Sequence, residues 1–276
     1  MHPLSERNSL QMKSTIRDKR INLLKTFQKG KHSSRAGSWI SKMAAVLFWL
    51  LAWYIAAKII DTEILIPKPF TVWKSFLVLV KTTDYWQTIA YSIIRILTGF
   101  AIAYVAGALL AAATYKSAVL RDLFYPLFNA VKATPVASFI ILALMWFTTG
   151  LVPVFTAFLM VLPTVWANIG EGLEDVDQNL LEMAVVYGMG RGKMIRHIYL
   201  PSLKPYVRAS FKSGFGMAWK AGVAAEVIGR PDLSIGKNLY HAKITLEMPD
   251  LFAWTFTVVA ISILLEKLLS LAVREK

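Results

Sequence analysis

Cysteine is absent from the 276 residues. That excludes disulfides, a redox dithiol and any thiolate metal site, and it leaves the compartment open. Charge is also scarce: Asp, Glu, Lys and Arg make up 17% of the chain, against about 25% in ordinary soluble domains. Acid is scarcer still, with 17 Asp or Glu against 31 Lys or Arg and a net charge of +14. The length suits one large domain or two small ones, but too few charges remain to cover a soluble surface. Histidine is confined to His2, His32, His197 and His241, too scattered for a metal pattern such as HExxH. No Ser-His-Asp or Cys-His arrangement can be inferred. The nearest approach to a phosphate loop is GMGRGK at 188–193. It has Tyr187 where GxxxxGK[ST] needs its first Gly, and Met194 where a hydroxyl should hold magnesium. An intramembrane enzyme would need polar groups at one depth, and only Arg95, Lys220 and Glu226 are even loose candidates. No metal pattern and no nucleotide-hydrolysing motor is visible in the sequence, and an intramembrane enzyme stays open at this point.

What the chain has in quantity is apolar sequence. Hydrophobic residues reach 56%, with 9 Trp and 15 Phe. Apolar runs of about 20 residues read as helices that cross a bilayer. The first predicted span is 43–60, followed by a short interfacial helix in which Trp73, Phe76 and Leu77 fall at helical spacing. The second is 93–115, uncharged from 96 onward. Residues 133–170 carry no charge and are too long for one crossing, so they read as two, 135–147 and 152–169, broken at Thr148, Thr149, Gly150 and Pro153. The fourth span is open to a bend at Pro163. A fifth, 205–228, is disguised by Arg208, Lys212, Lys220 and Glu226; the sixth begins near Leu251 and runs to about 265, or on to 273. The expected fold is an all-α polytopic membrane protein with six transmembrane helices.

Residues 1–42 hold ten Lys or Arg and two acids, Glu6 and Asp18. With an apolar run following at once, this reads as a basic cytoplasmic tail held near anionic lipid rather than a nucleic-acid arm. It is too long and too Lys-rich for a signal peptide. With the N-terminus inside, the inner segments carry twenty Lys or Arg and the outer ones six, so both termini are expected in the cytosol. The domain reading is a basic cytoplasmic tail at 1–42, a transmembrane domain at 43–270 with an inner loop at 171–205, and a cytoplasmic end at 271–276.

Two patterns stand out. Gly99, Ala103, Gly107 and Ala111 recur every four residues on the second span, a small face on which another helix can approach closely. In the inner loop, Leu180, Met183, Ala184 and Tyr187 can share a helix face, which Gly188 then ends. Met194, Ile195 and Ile198 form a second apolar turn, and Pro201 and Pro205 punctuate the return to the membrane. A short helix of this kind docks in a partner's groove or lies against its own bundle.

The loop carries a resemblance. Glu182, Met183 and Ala184, then Gly188 after three residues, Ile198 after nine more, and Leu200 with Pro201 resemble the "EAA" loop of ATP-binding-cassette importer permeases. Met183 departs from it, standing where the pattern has Ala. Ser92, Arg95 and Gly99 are similar to the S-x-x-R-x-x-x-G of the nitrate, sulfonate and taurine branch. Pro126, Thr134, Pro135 and the pair Ala225-Glu226 fit the same branch, as do Trp146 and Phe147, although Thr148 replaces a usual Gly. The likeness covers roughly residues 60–270; residues 1–40 match nothing in it.

The resemblance implies a type I importer permease: a non-catalytic multi-pass subunit of the cell membrane with no cofactor, paired with a second permease subunit, either a second copy (a homodimer) or a different chain. Two ATPase subunits would sit beneath it, and an extracytoplasmic solute-binding protein would deliver the solute. Glu182, Met183, Ala184, Tyr187, Gly188, Ile198, Leu200 and Pro201 would couple to the ATPase. On the fifth span, Arg208, Lys212, Gly216 and Lys220 recur every four residues. They read either as a path favouring anions such as a sulfonate, taurine or nitrate, or as mouth cations with Lys220 paired to an acid elsewhere. Glu226 is placed with this possible path, or as a cap near its outer end. The same branch also serves thiamine-pyrimidine precursors and other small organic solutes. A secondary transporter should instead show paired broken helices or a coupling-ion acid, and neither it nor a structural scaffold predicts the loop pattern.

Overall fold

The structure is a computed structural model that describes residues 35–274. The tail up to residue 34 and residues 275 and 276 lie outside the described residues. The contacts divide the chain after Asp61 into two units. In the first, α1 (Arg35–Ile60) has 26 residues, about 39 Å of rise. Leu47, Phe48, Trp49 and Leu51 are exposed on it, as on a helix that is apolar all round and suited to lipid.

The second unit holds ten helices among the described residues: α2 (Pro69–Val80), α3 (Thr83–Lys116), α4 (Ala118–Ala133), α5 (Val136–Trp146), α6 (Val152–Glu174), α7 (Gln178–Val186), α8 (Arg191–Met194), α9 (Leu200–Gly229), α10 (Ile235–Ile244) and α11 (Met248–Arg274). A π-helical turn, Ile195–Tyr199, joins α8 to α9. Pro201 explains that turn: it has no N–H and its ring crowds the carbonyl four residues back, and a wider turn relieves both. Thr82 caps α3 by accepting the Tyr85 N–H, so this helix begins ten residues before the expected span. α6 runs through Pro163 as one element.

The third crossing differs most from expectation. Pro135 holds Thr134 in extended backbone, with φ −83° and ψ 134°, and α4 meets α5 at 105°. α5 is therefore an 11-residue helix of roughly 16 Å, too short to cross a bilayer alone. Residues 118–133, read from sequence as part of an inner loop, are helical. Among the described residues, α1, α3, α6 and α11 are long and apolar enough to cross a membrane, with α4 and α5 as a fifth if the bent pair counts as one. The protein is thus an all-α, multi-pass membrane protein. α9 has the length, 30 residues, but its charges set it apart from those spans.

Within the second unit, α6 is the central helix. It runs parallel to α3 and antiparallel to α9, as the meeting points show: Gly99 on Val154, Gly107 on Val165, Gly214 on Val161, Gly229 on Val152. Ala103 and Ala111 are fully buried on the same face of α3 as Gly99 and Gly107. A Cβ on Gly99 would lie 2.3 Å from the Val154 carbonyl oxygen, so only glycine allows this backbone approach. Between the three helices Phe100 meets Phe211 edge-on at 5.1 Å and Phe215 at 6.1 Å. In lipid, apolar surface alone gives helices little reason to associate; close backbone approach and buried polar bonds must do it.

Candidate functional site

The segment between α6 and α9 is built as a small rigid shelf. Asp177 caps α7 by accepting the Asn179 N–H at 2.9 Å. Gly188 ends the helix with φ 64°. The Gly188 N–H donates to the Val185 carbonyl at 3.0 Å and the Met189 N–H to the Ala184 carbonyl at 2.8 Å. This pair of bonds is the Schellman stop, which needs a left-handed residue and therefore favours glycine. Ala184 is buried with Val176 and Ile198, and Leu181, Met189, Met194 and Tyr199 pack against them. One anchor below, Tyr206 donates its hydroxyl to Asp175 at 2.7 Å.

The expected common face of Leu180, Met183, Ala184 and Tyr187 is split. Ala184 points into the shelf, whereas Leu180, Met183 and Tyr187 stand exposed with Val185 and Val186, the last 83% exposed. Periodicity groups the four, but Val176 and Ile198, brought in from outside the helix, cover only the Ala184 side. Glu182 is exposed, as are Gly188, Leu200 and Pro201. The shelf thus presents apolar side chains around one carboxylate on a helix whose start and stop are both fixed.

On α9, Arg208, Lys212 and Lys220 are exposed and Gly216 is half-buried. Lys212 is paired with Glu266 on α11 at 3.6 Å. Lys220 has no carboxylate within ion-pair distance among the described residues. A Cβ on Gly216, one turn inward of Lys220, would meet no atom within 4 Å.

Glu226 does not share that exposed face; it sits where the alternative expectation, a cap near the outer end of this helix, would have it. It is fully buried, six residues on from Lys220 and turned toward α3. Ser92 donates to its Oε2 at 2.8 Å, the Gly236 N–H donates to the same atom at 3.3 Å, and Arg95 lies 3.7 Å from Oε1. Ser92 also accepts the Ile235 N–H at 3.0 Å. Arg95 continues outward, donating to the carbonyls of Leu233 at 3.0 Å and Asp232 at 2.7 Å. Gly236 allows the docking, since a Cβ there would lie 2.3 Å from the Glu226 carbonyl carbon. The result is a clasp that ties α3, α9 and the start of α10 together. Outside it, the Lys237 ammonium holds the Asp232 carboxyl below its ordinary range. Sequence reasoning had Ser92, Arg95 and Glu226 as separate motif residues. The available signal was two opposite charges inside apolar sequence, which must find each other.

Among the described residues, no three His, Asp or Glu side chains gather as a metal site. The arrangement offers an exposed shelf, a cationic helix face and a buried clasp.

Comparison with known proteins bears on this arrangement. The family model described as "Binding-protein-dependent transport system inner membrane component" matches residues 103–274. The bicarbonate transport system permease protein CmpB of Synechococcus elongatus is 25% identical over 184 residues, 66% of this chain and 66% of that protein. The alignment thus spans just under two thirds of that relative's length. The glycine betaine/carnitine transport permease protein GbuB of Listeria monocytogenes is 24% identical over 193 residues, 70% of this chain and 68% of the relative. The putative aliphatic sulfonates transport permease protein SsuC of Escherichia coli is 27% identical over 197 residues, 70% of this chain and 73% of the relative.

Proposed function

Because this chain belongs to the family of binding-protein-dependent transport system inner membrane components, we propose that it is the permease subunit of an ATP-driven importer. It performs no bond chemistry; it provides a gated path for a small solute. Six crossings follow if α1, α3, the α4–α5 pair, α6, α9 and α11 each cross once, and the basic bias then puts both termini in the cytosol. α3 and α6 end, and α9 begins, on the same side, which makes the shelf at 175–199 cytosolic.

The single observation that carries the reading is the shelf itself. Its exposed Leu180, Met183, Val185, Val186 and Tyr187 are apolar groups with no membrane role at that end, displayed on a doubly capped helix. Such a helix fits the groove of a partner. In this reading the partner is an ATPase subunit, one for each of two permease copies, and Glu182, Ala184, Gly188, Ile198, Leu200 and Pro201 fix or flank the docked helix. A rigid helix seated in a groove passes domain movement to the spans it joins, here α6 and α9. A binding protein delivers solute to the outer end.

The solute is a small anion. The bicarbonate and sulfonate relatives are named for anions, and every charged residue exposed on α9 is a cation. The betaine/carnitine relative makes a zwitterion the competing outcome.

Since the chain has no cysteine, sidedness is directly testable. Val186→Cys in membrane vesicles is expected to react with a membrane-impermeant maleimide only from the cytosolic face. Added ATPase subunit should protect it, while Lys243→Cys on α10 reacts from outside. Labelling of Val186→Cys from outside contradicts the reading.

A further inference from the structure

We propose that Lys220 is the residue that recognises the solute's negative charge inside the membrane, and that neither Arg208 nor Lys212 does so. This rests on the reading of α9 as a wall of the path.

Depth is the first argument. Gly214 meets Val161 and Gly229 meets Val152, so Lys220 stands between those two levels. Over that stretch α6 carries no charge. At 1.5 Å per residue Lys220 lies about 30 Å from the start of α9 and about 13 Å from its end. An ammonium at such depth is costly in hydrocarbon, and it persists where it meets water, a counter-charge or a ligand.

Neutralisation is the second argument. The charges nearest this level on α9 and α3, Glu226 and Arg95, are locked on each other in the clasp. Lys212 faces Glu266 at 3.6 Å. Arg208 lies two residues from Tyr206, whose ring packs on Gly172 near the inner end of α6, which places it at the mouth. Lys220 alone is both deep and without a carboxylate within 4 Å among the described residues.

Room is the third argument. Gly216 precedes Lys220 by one turn on the same face, and the space where its side chain would be is empty to 4 Å. A small anion can lie in that space beside the Lys220 side chain, which a helix directs back over the preceding turn. A larger residue at 216 would fill that space.

The test uses the complete importer in proteoliposomes, with cysteine-free partner subunits. Uptake of nitrate, bicarbonate and ethanesulfonate is measured with ATP. Lys220→Cys is expected to lower uptake of the transported anion about tenfold or more, since a full unit charge is removed from a low-dielectric site. Treatment with aminoethyl methanethiosulfonate, which restores an ammonium on a chain of lysine-like length, should recover it. The neutral methyl and anionic sulfonatoethyl reagents should not. Lys220→Arg should retain most activity. Wild-type uptake by Lys220→Cys overturns the proposal, as does equal rescue by all three reagents, which would mean that Lys220 only fills space. Uptake of glycine betaine but of none of the three anions by the unaltered protein overturns it as well. Failure of the permease reading looks different: the unaltered protein then shows no ATP dependence at all.

Discussion

Replacing Arg95 by Ala is expected to destabilise the second unit by about 3 kcal/mol, near the lower end of the range for breaking a buried ion pair. The Glu226 carboxylate is fully buried, and the Arg95 side chain is 18% exposed. Glu226 Oε1 has no hydrogen bond among the described residues, and the Arg95 guanidinium lies 3.7 Å from it. Removing that cation leaves the carboxylate buried against Ser92 and Gly236 with nothing to neutralise it. It also removes the donors to the carbonyls of Asp232 and Leu233, so the loop before α10 loses its attachment. Glu226→Gln should cost less, about 1 kcal/mol, because the amide oxygen can still accept from Ser92 and Gly236. Arg95→Lys should fall between, since an ammonium cannot fork to three oxygens in one plane. Thermal unfolding of the purified protein in lipid nanodiscs gives the order. An Arg95→Ala protein as stable as the parent would mean that the clasp contributes nothing.

Gly99→Ala should be nearly as damaging, although it adds one methyl group. Its Cβ would lie 2.3 Å from the Val154 oxygen and 3.0 Å from the Ala157 Cβ. The first obstacle is backbone, so no rotamer change relieves it. α3 and α6 must part by about an ångström along a seam that also holds Ala103, Gly107 and Ala111. Overpacking of this kind costs about 1–3 kcal/mol, and Gly99→Val should prevent stable assembly of the pair. Gly216→Ala is the control, because its methyl meets open space. In a helix interior that exchange favours the helix by up to about 1 kcal/mol. The two variants should therefore shift the melting temperature in opposite directions. Equal shifts would remove close approach as the reason for glycine at 99.

These two sites also mark what sequence alone conveys. The four-residue spacing on α3 is local information, and the structure buries all four residues, Gly99 and Gly107 directly on α6. Gly188 is equally local: a helix followed by a lone glycine describes its own stop. The long uncharged stretch at 133–170 implied two helices, with the break at Thr148, Thr149, Gly150 and Pro153, and Pro135 stood only as the start of the third span. The 105° angle between α4 and α5 was not legible, because proline restricts the preceding residue without fixing the direction taken after it. The partners of Glu226 were not legible for a different reason. Spacing along α9 describes only that helix, and Ser92, Arg95 and Gly236 arrive from elements far away in sequence. The face of α7 failed for the same reason, since Val176 and Ile198 decide which side of it is covered. Hydropathy understated α9, whose cations look like surface until their partners and depth are known.

The measurement closest to the central claim is ATP-driven solute uptake by proteoliposomes that contain this chain, its ATPase subunit and its binding protein. Val186→Asp, which puts a carboxylate on the apolar shelf, and Gly188→Val, which forces a β-branched residue to φ 64°, each leave the spans untouched. The account predicts that both variants insert and fold but lose uptake about tenfold or more, and that omitting the ATPase abolishes uptake. Full uptake by either folded variant, or by the unaltered chain without an ATPase, contradicts it.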